Sequence, residues 1–152
     1  WVQAGPRLLR RLVGCGLLDS GGGLNPFTSA LVCSAIEMGL QQTQLATLVT
    51  TYSERKVALT KALKKYLPDT VRMIEPDGGF FIWLVFPDGV DTEQMLPAAR
   101  RKNVGYLPGS KFSSSGDLKN CARLSFSYFD VPELEEGARR LGPVIKEHMK
   151  GH

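Results

Sequence analysis

Residues 64–86 read KKYLPDTVRMIEPDGGFFIWLVF, and the hydrophobic period changes inside them. Up to Leu67 the apolar residues recur every three or four positions. Beyond Pro68 they recur every second position or run together, which is the strand pattern. Pro68 has no backbone N–H to offer and ends the helical stretch. Residues 70–75 (TVRMIE) predict a short strand, Pro76-Asp77-Gly78-Gly79 a turn, and residues 80–86 (FFIWLVF) a second strand. That second strand is apolar on both faces, which predicts cover on both sides.

Upstream of the switch the chain reads as helices. From Gln44 to about Leu67, apolar residues at 45, 48, 49, 52, 59, 63, 66 and 67 line one face of a long helix, and Glu54, Arg55, Lys61, Lys64 and Lys65 line the other. Asn25-Pro26 is a start signal for an earlier helix that runs to about Gly39 and is rich in small and apolar residues. Residues 6–18 (PRLLRRLVGCGLL) predict another helix, with Pro6 in its first turn, and residues 19–24 (DSGGGL) a break.

Downstream, Asp91-Thr92-Glu93-Gln94 is a capping box that opens a helix to about Asn103. Residues 104–107 (VGYL) predict a strand and Pro108-Gly109-Ser110 a turn. Residues 121–128 (CARLSFSY) alternate, with Ala122, Leu124, Phe126 and Tyr128 on one face and Cys121, Arg123, Ser125 and Ser127 on the other. Asp130 and Glu133 form a second capping box. It starts a helix from about Pro132 to Lys150 that turns Leu134, Ala138, Leu141, Ile145 and Met149 inward. The order ααα-ββ-α-ββ-α predicts, in its second part, an α+β unit with helices over a small, largely antiparallel sheet.

Composition narrows the function. The 152 residues are 43% hydrophobic and 22% charged, too apolar for a disordered chain, and no apolar run approaches a membrane span. The net charge of +4 is spread over scattered basic pairs, which argues against a nucleic-acid partner. Cys15, Cys33 and Cys121 fit no zinc or redox spacing, and a sparse, odd count predicts reduced thiols in the cytoplasm or a mitochondrial matrix. The only histidines, His148 and His152, stand in the last five residues, so neither a His-based triad nor a His-rich metal site is expected. Ser53-x-x-Lys56 sits on a helix face, Gly21-Gly22-Gly23 follows no strand, and Gly109-Ser110-Lys111 lacks the upstream glycine of a P-loop.

Arg123 stands apart. It lies mid-strand on the polar side of the alternating segment, beside Ser125 and Ser127. A guanidinium there needs an anion or water, and its planar fork suits a carboxylate. A structural ion pair or a solvent-facing arginine would give the same pattern.

The stretches Trp1-Val2, Gly5-Pro6, Gly23-Leu24-Asn25-Pro26, Pro76-Asp77-Gly78-Gly79-Phe80-Phe81-Ile82-Trp83, Val104, Pro108-Gly109, Phe112 and Ala122-Arg123-Leu124-Ser125-Phe126 follow one another in that order. Together the chain resembles the C-terminal part of a class I/II aminotransferase of fold type I, dependent on pyridoxal 5'-phosphate, in the 2-aminoadipate and aromatic aminotransferase-like branch. The resemblance covers essentially the whole chain.

It implies an α/β parent fold. Residues 1–43 would be the last helices of the large cofactor domain, residues 44–67 the long helix between domains, and residues 68–152 the small C-terminal domain. Arg123 would clamp the substrate α-carboxylate. Asn25 and Pro26 would lie near a homodimer interface and the neighbouring active site, and Gly78-Gly79 would form the turn beside the substrate entrance. The Schiff-base lysine would precede Trp1, so no catalytic residue is expected in this chain, and an opening on Trp1 reads as the start of a piece. The implied substrates are an amino acid and a 2-oxo acid, and a related lyase on the same fold stays open. The expectations beside it are a non-enzymatic truncated product that binds a partner through exposed apolar helices, and a small carboxylate-binding module built on Arg123.

Overall fold

The computed structural model describes residues 3–16 and 25–150. The end of the first expected helix, the break at 19–24, Trp1-Val2, Gly23-Leu24 and His152 lie outside the described residues. The chain divides into two compact units, residues 1–47 and 48–152.

The first unit holds α1 (Pro6–Val13), α2 (Pro26–Glu37) and the opening of α3 (Leu40–Tyr66). Asn25 caps α2: its side chain accepts the Thr28 N–H at 3.0 Å, and Pro26 takes the first turn, where no N–H is needed. Gly39, in the left-handed region at φ 72°, separates α2 from α3. The long helix therefore begins at Leu40, four residues before the hydrophobic pattern predicts. No residue of α1 or α2 is buried; Leu8, Phe27, Leu31 and Met38 are all exposed.

The second unit contains the rest of α3, then β1 (Arg72–Ile74), β2 (Phe81–Val85), α4 (Thr92–Arg101), β3 (Leu107–Pro108), a 3-10 turn (Gly109–Phe112), β4 (Cys121–Ser125) and α5 (Val131–Lys150). The strands form one antiparallel sheet in the order β1-β2-β4-β3. Opposed residues share a face, so the register sorts the side chains. Ile82 opposes Leu124 and Leu84 opposes Ala122, and all four are buried. They form the core with Leu59 and Leu63 of α3, Met95 and Ala99 of α4, and Leu134, Ala138, Leu141 and Ile145 of α5.

The opposite face carries Phe81, Trp83, Val85, Cys121, Arg123 and Ser125. It is partly open, with Phe81 38% exposed. This corrects the expectation that β2 is covered on both sides: the described helices of this unit build the core on the Ile82 and Leu84 face. Cys121 is nevertheless buried, because the turn at Gly109 lies against it. Tyr128 falls beyond the end of β4 and is 82% exposed, so the alternation stops at Phe126.

Residues 104–106 are not strand. The Val104 N–H bonds back to the Ala99 carbonyl at 3.2 Å, and the buried Tyr106 hydroxyl donates to the Thr92 carbonyl at 2.6 Å. Both expected helix starts form, but only the second is a full capping box, because the Gln94 side chain donates to the Asp91 carboxylate and does not reach back to the Asp91 N–H. Asp91 accepts the N–H groups of Glu93 and Gln94. Asp130 and Glu133 are reciprocal, with each side chain accepting the other's backbone N–H at 3.0–3.1 Å.

Candidate functional site

Arg123 sits at the centre of β4, opposite Trp83 of β2 and Leu107 of β3. A strand on each side fixes its backbone, and alternation sends its side chain to the partly open face. Its guanidinium carbon lies 3.7 Å from the centre of the Phe81 ring and 4.2 Å from that of Phe112. Phe112 comes from the end of the 3-10 turn and meets Trp83 edge-on at 5.7 Å. Among the described residues no carboxylate lies within ion-pairing distance of Arg123. A structural ion pair, one of the two plainer explanations for an arginine at this position, is thus not what the geometry shows.

A cleft of about 710 Å³ opens beside it, walled in part by Phe81, Leu107, Tyr128, Phe129 and Arg100. The two carboxylates in its wall are already engaged. Glu136 accepts from Arg139 and Arg140 at 2.6–2.7 Å, and these hydrogen bonds hold its carboxyl down to about 2. Glu133 caps α5. The face presented by Arg123 therefore favours an anion with a planar, two-oxygen group.

Two loops flank the clamp, and adjacent residues of α3 hold both. Arg55 donates to the Ser127 carbonyl at 2.7 Å, on the loop after β4. Lys56 donates to the Pro76 carbonyl at 3.2 Å, on the turn before β2. Gly78 and Gly79 complete that turn, with Gly79 left-handed at φ 82°, a conformation that L side chains resist. They lead directly into Phe80 and Phe81, so the structure brings the double glycine and Arg123 into one neighbourhood. Asn25 and Pro26 belong to the first unit, where their described role is to start α2.

Sequence reading missed Phe81 and Phe112 as the walls around Arg123. The signal for Phe81 was present, since a strand apolar on both faces must put one set of rings beside the polar face of its neighbour. Phe112 had no such signal, because only the turn's path brings it over β4. Among the described residues no group of three metal-ligating side chains occurs, and no helix is long and apolar enough to cross a membrane.

No family model matches the chain. The chain is 35% identical over 151 residues to aromatic-amino-acid aminotransferase 1 of Thermococcus litoralis, an alignment covering 99% of this chain and 36% of that protein. The crystal structure of a multiple substrate aminotransferase from Thermococcus profundus matches with a TM-score of 0.87 at 34% identity, over 98% of this chain and 37% of that one. The α-aminoadipate aminotransferase of Thermus thermophilus, solved with N-(5'-phosphopyridoxyl)-L-leucine, matches with a TM-score of 0.85 at 30% identity, over 98% of this chain and 38% of that one. The chain thus spans about a third of the length of the relatives it matches.

Proposed function

Because the chain belongs to the aminotransferase family over almost all of its length, we propose that it is the C-terminal part of an enzyme that moves an amino group between an amino acid and a 2-oxo acid, using pyridoxal 5'-phosphate. In this reading residues 1–43 end the large domain, residues 44–67 join the domains and residues 68–152 form the small domain. Asn25 and Pro26 face the other subunit of a homodimer.

The observation that carries the reading is Arg123. It is a strand-borne guanidinium with no described carboxylate partner, beside a cleft, in a chain homologous to proteins that act on amino acids. Its fork would donate to both oxygens of the α-carboxylate common to both substrates and fix the orientation of the carbon beside it. Gly78-Gly79 would shape the entrance.

The cofactor's aldehyde needs an amine, and among the described residues no lysine lines this cleft. The residues around Arg123 fit the substrate's carboxylate and not the cofactor itself.

The test is amino-group transfer by the full-length gene product, wild type against Arg123→Ala. Leaving a carboxylate without its charged partner costs about 2–5 kcal/mol, so kcat/KM falls by roughly 30- to 5,000-fold. An Arg123→Ala enzyme as fast as the wild type would overturn the reading. The exposed apolar residues of α1 and α2 favour a second reading, a non-enzymatic chain that docks on a protein partner. Absence of transfer by the full-length product would leave that one standing.

A further inference from the structure

We propose that Phe112 and Phe81 are positioning residues for Arg123, which hold its guanidinium so that a carboxylate can reach it only along the edge of its N–H fork. The inference rests on the carboxylate-clamp reading above and adds to it the device that aims the clamp.

All five donors of a guanidinium lie in its plane. Phe81 and Phe112 stand within stacking distance of that group, at 3.7 and 4.2 Å, and draw on the attraction between a cation and a ring face. In the proposed arrangement the two rings occupy the faces of the group and leave its edge. Among the described residues no carboxylate takes that edge. The edge is therefore the part left for a ligand, and the carboxylate geometry that matches it is the in-plane, two-oxygen one.

The rings are themselves held. Trp83 meets Phe112 edge-on at 5.7 Å. Phe80 meets Phe81 at 6.3 Å, and Tyr52 of α3 meets Phe80 at 5.3 Å, both edge-on. The clamp thus sits in a run of rings from α3 to the 3-10 turn. Phe112 and Phe81 remain 42% and 38% exposed, so neither is a core residue whose ring the fold needs for burial. An aimed fork gives up less freedom when a carboxylate binds than a free arginine does, and that difference is the benefit of the arrangement.

The full chain and its variants would be titrated with pyruvate, with Kd read from the pyruvate methyl NMR signal and the orientation of the clamp read from the Arg123 Nε–H resonance. We expect Phe112→Leu to raise Kd about fivefold, Phe112→Tyr to restore it, and the thermal midpoint to stay within a degree or two in both. Phe81→Leu should behave as Phe112→Leu does. In Phe112→Leu the Arg123 Nε–H signal should lose the shift that two nearby rings impose. Wild-type affinity in both leucine variants, with binding abolished by Arg123→Ala, would overturn the positioning role and leave the clamp intact. Unchanged binding by Arg123→Ala, or a wild-type Arg123 signal that pyruvate never moves, would overturn the clamp reading itself.

Discussion

Gly142 lies so close to Tyr66 that a Cβ at that position would meet the Tyr66 carbonyl oxygen at 2.7 Å and the Tyr66 Cβ at 2.9 Å. This is where α5 passes the end of α3, and the helices approach through the missing side chain. Gly142→Ala must push them apart, at a cost of about 1–3 kcal/mol. Gly137 on the same helix supplies the control. A Cβ there meets only Val104 Cγ2, at 3.9 Å, so alanine gains helix propensity without a clash, about 0.5–1 kcal/mol. Urea midpoints should therefore move in opposite directions for the same substitution five residues apart. Equal shifts would show that close approach is not what Gly142 provides.

Tyr106 and Thr92 form a buried polar pair that ties the segment before β3 to α4. The Tyr106 hydroxyl donates to the Thr92 carbonyl at 2.6 Å, and the single Thr92 hydroxyl proton is shared between the carbonyls of Cys121 and Lys119, at 2.7 and 2.9 Å from Oγ1. Burial, helped by Asp91, pushes the Tyr106 phenol well above its ordinary range. Tyr106→Phe leaves the Thr92 carbonyl without that donor, which should cost about 1–2 kcal/mol in a denaturant titration. The same variant should lack the last phenol step seen when absorbance is followed through an alkaline titration. A late step that survives in Tyr106→Phe belongs to another tyrosine.

Most of this architecture could be read from local signals. The Asp130-x-x-Glu133 box, the stop at Pro68 and the inward row Leu134, Ala138, Leu141, Ile145 each depend on residues a few positions apart, and each stands where the pattern put it. The reading failed where a distant segment decides. Cys121 alternates as a polar-face residue, yet the Gly109 turn covers it. Residues 104–106 have strand composition, yet hydrogen bonds to α4 hold them out of the sheet. At the site, Arg123 was visible because a charge in an alternating strand must be accounted for. Phe112 was not, since nothing near residue 112 encodes what lies beneath it.

Glu136 gives the chain a sensitivity to acid. Hydrogen bonds from Arg139 and Arg140 lower its carboxyl from the ordinary 4.5 to about 2. A carboxyl whose folded value is depressed binds its proton more readily when unfolded. Its stabilising contribution is whole above pH 4.5 and is lost as the pH falls toward 2. The pair is at the surface, so the effect is modest and weakens with added salt. Thermal midpoints measured from about pH 5 to about pH 2 should fall less steeply in Glu136→Gln than in the wild type. Parallel slopes would remove Glu136 from the account.

The three thiols should separate into two classes. Cys15 and Cys33 are exposed, whereas Cys121 is buried and its thiol is pushed up by that burial. Thiolate is the reacting form, so Cys121 combines poor access with a small reactive fraction. A chromogenic disulfide reagent at neutral pH should titrate two thiols quickly and the third only after denaturation. Rapid reaction of all three would mean that the turn over Cys121 opens readily in solution.

That turn connects the fold to the clamp. A Cβ on Gly109 would collide with the Leu118 carbonyl and approach the Cys121 Cβ to 2.6 Å, and neither backbone can yield as a flexible side chain could. Gly109→Ala must therefore lift the 3-10 turn from β4, with a cost of about 1–3 kcal/mol. Phe112 ends the same turn, so its ring should move away from both Trp83 and Arg123. The variant should change the near-ultraviolet signal of Trp83 and weaken carboxylate binding as Phe112→Leu does, while Gly137→Ala, on a helix remote from the turn in sequence, should leave the Trp83 signal unchanged. Lower stability with undiminished carboxylate binding would show that Gly109 serves packing alone and that the aim of Arg123 is set within the sheet.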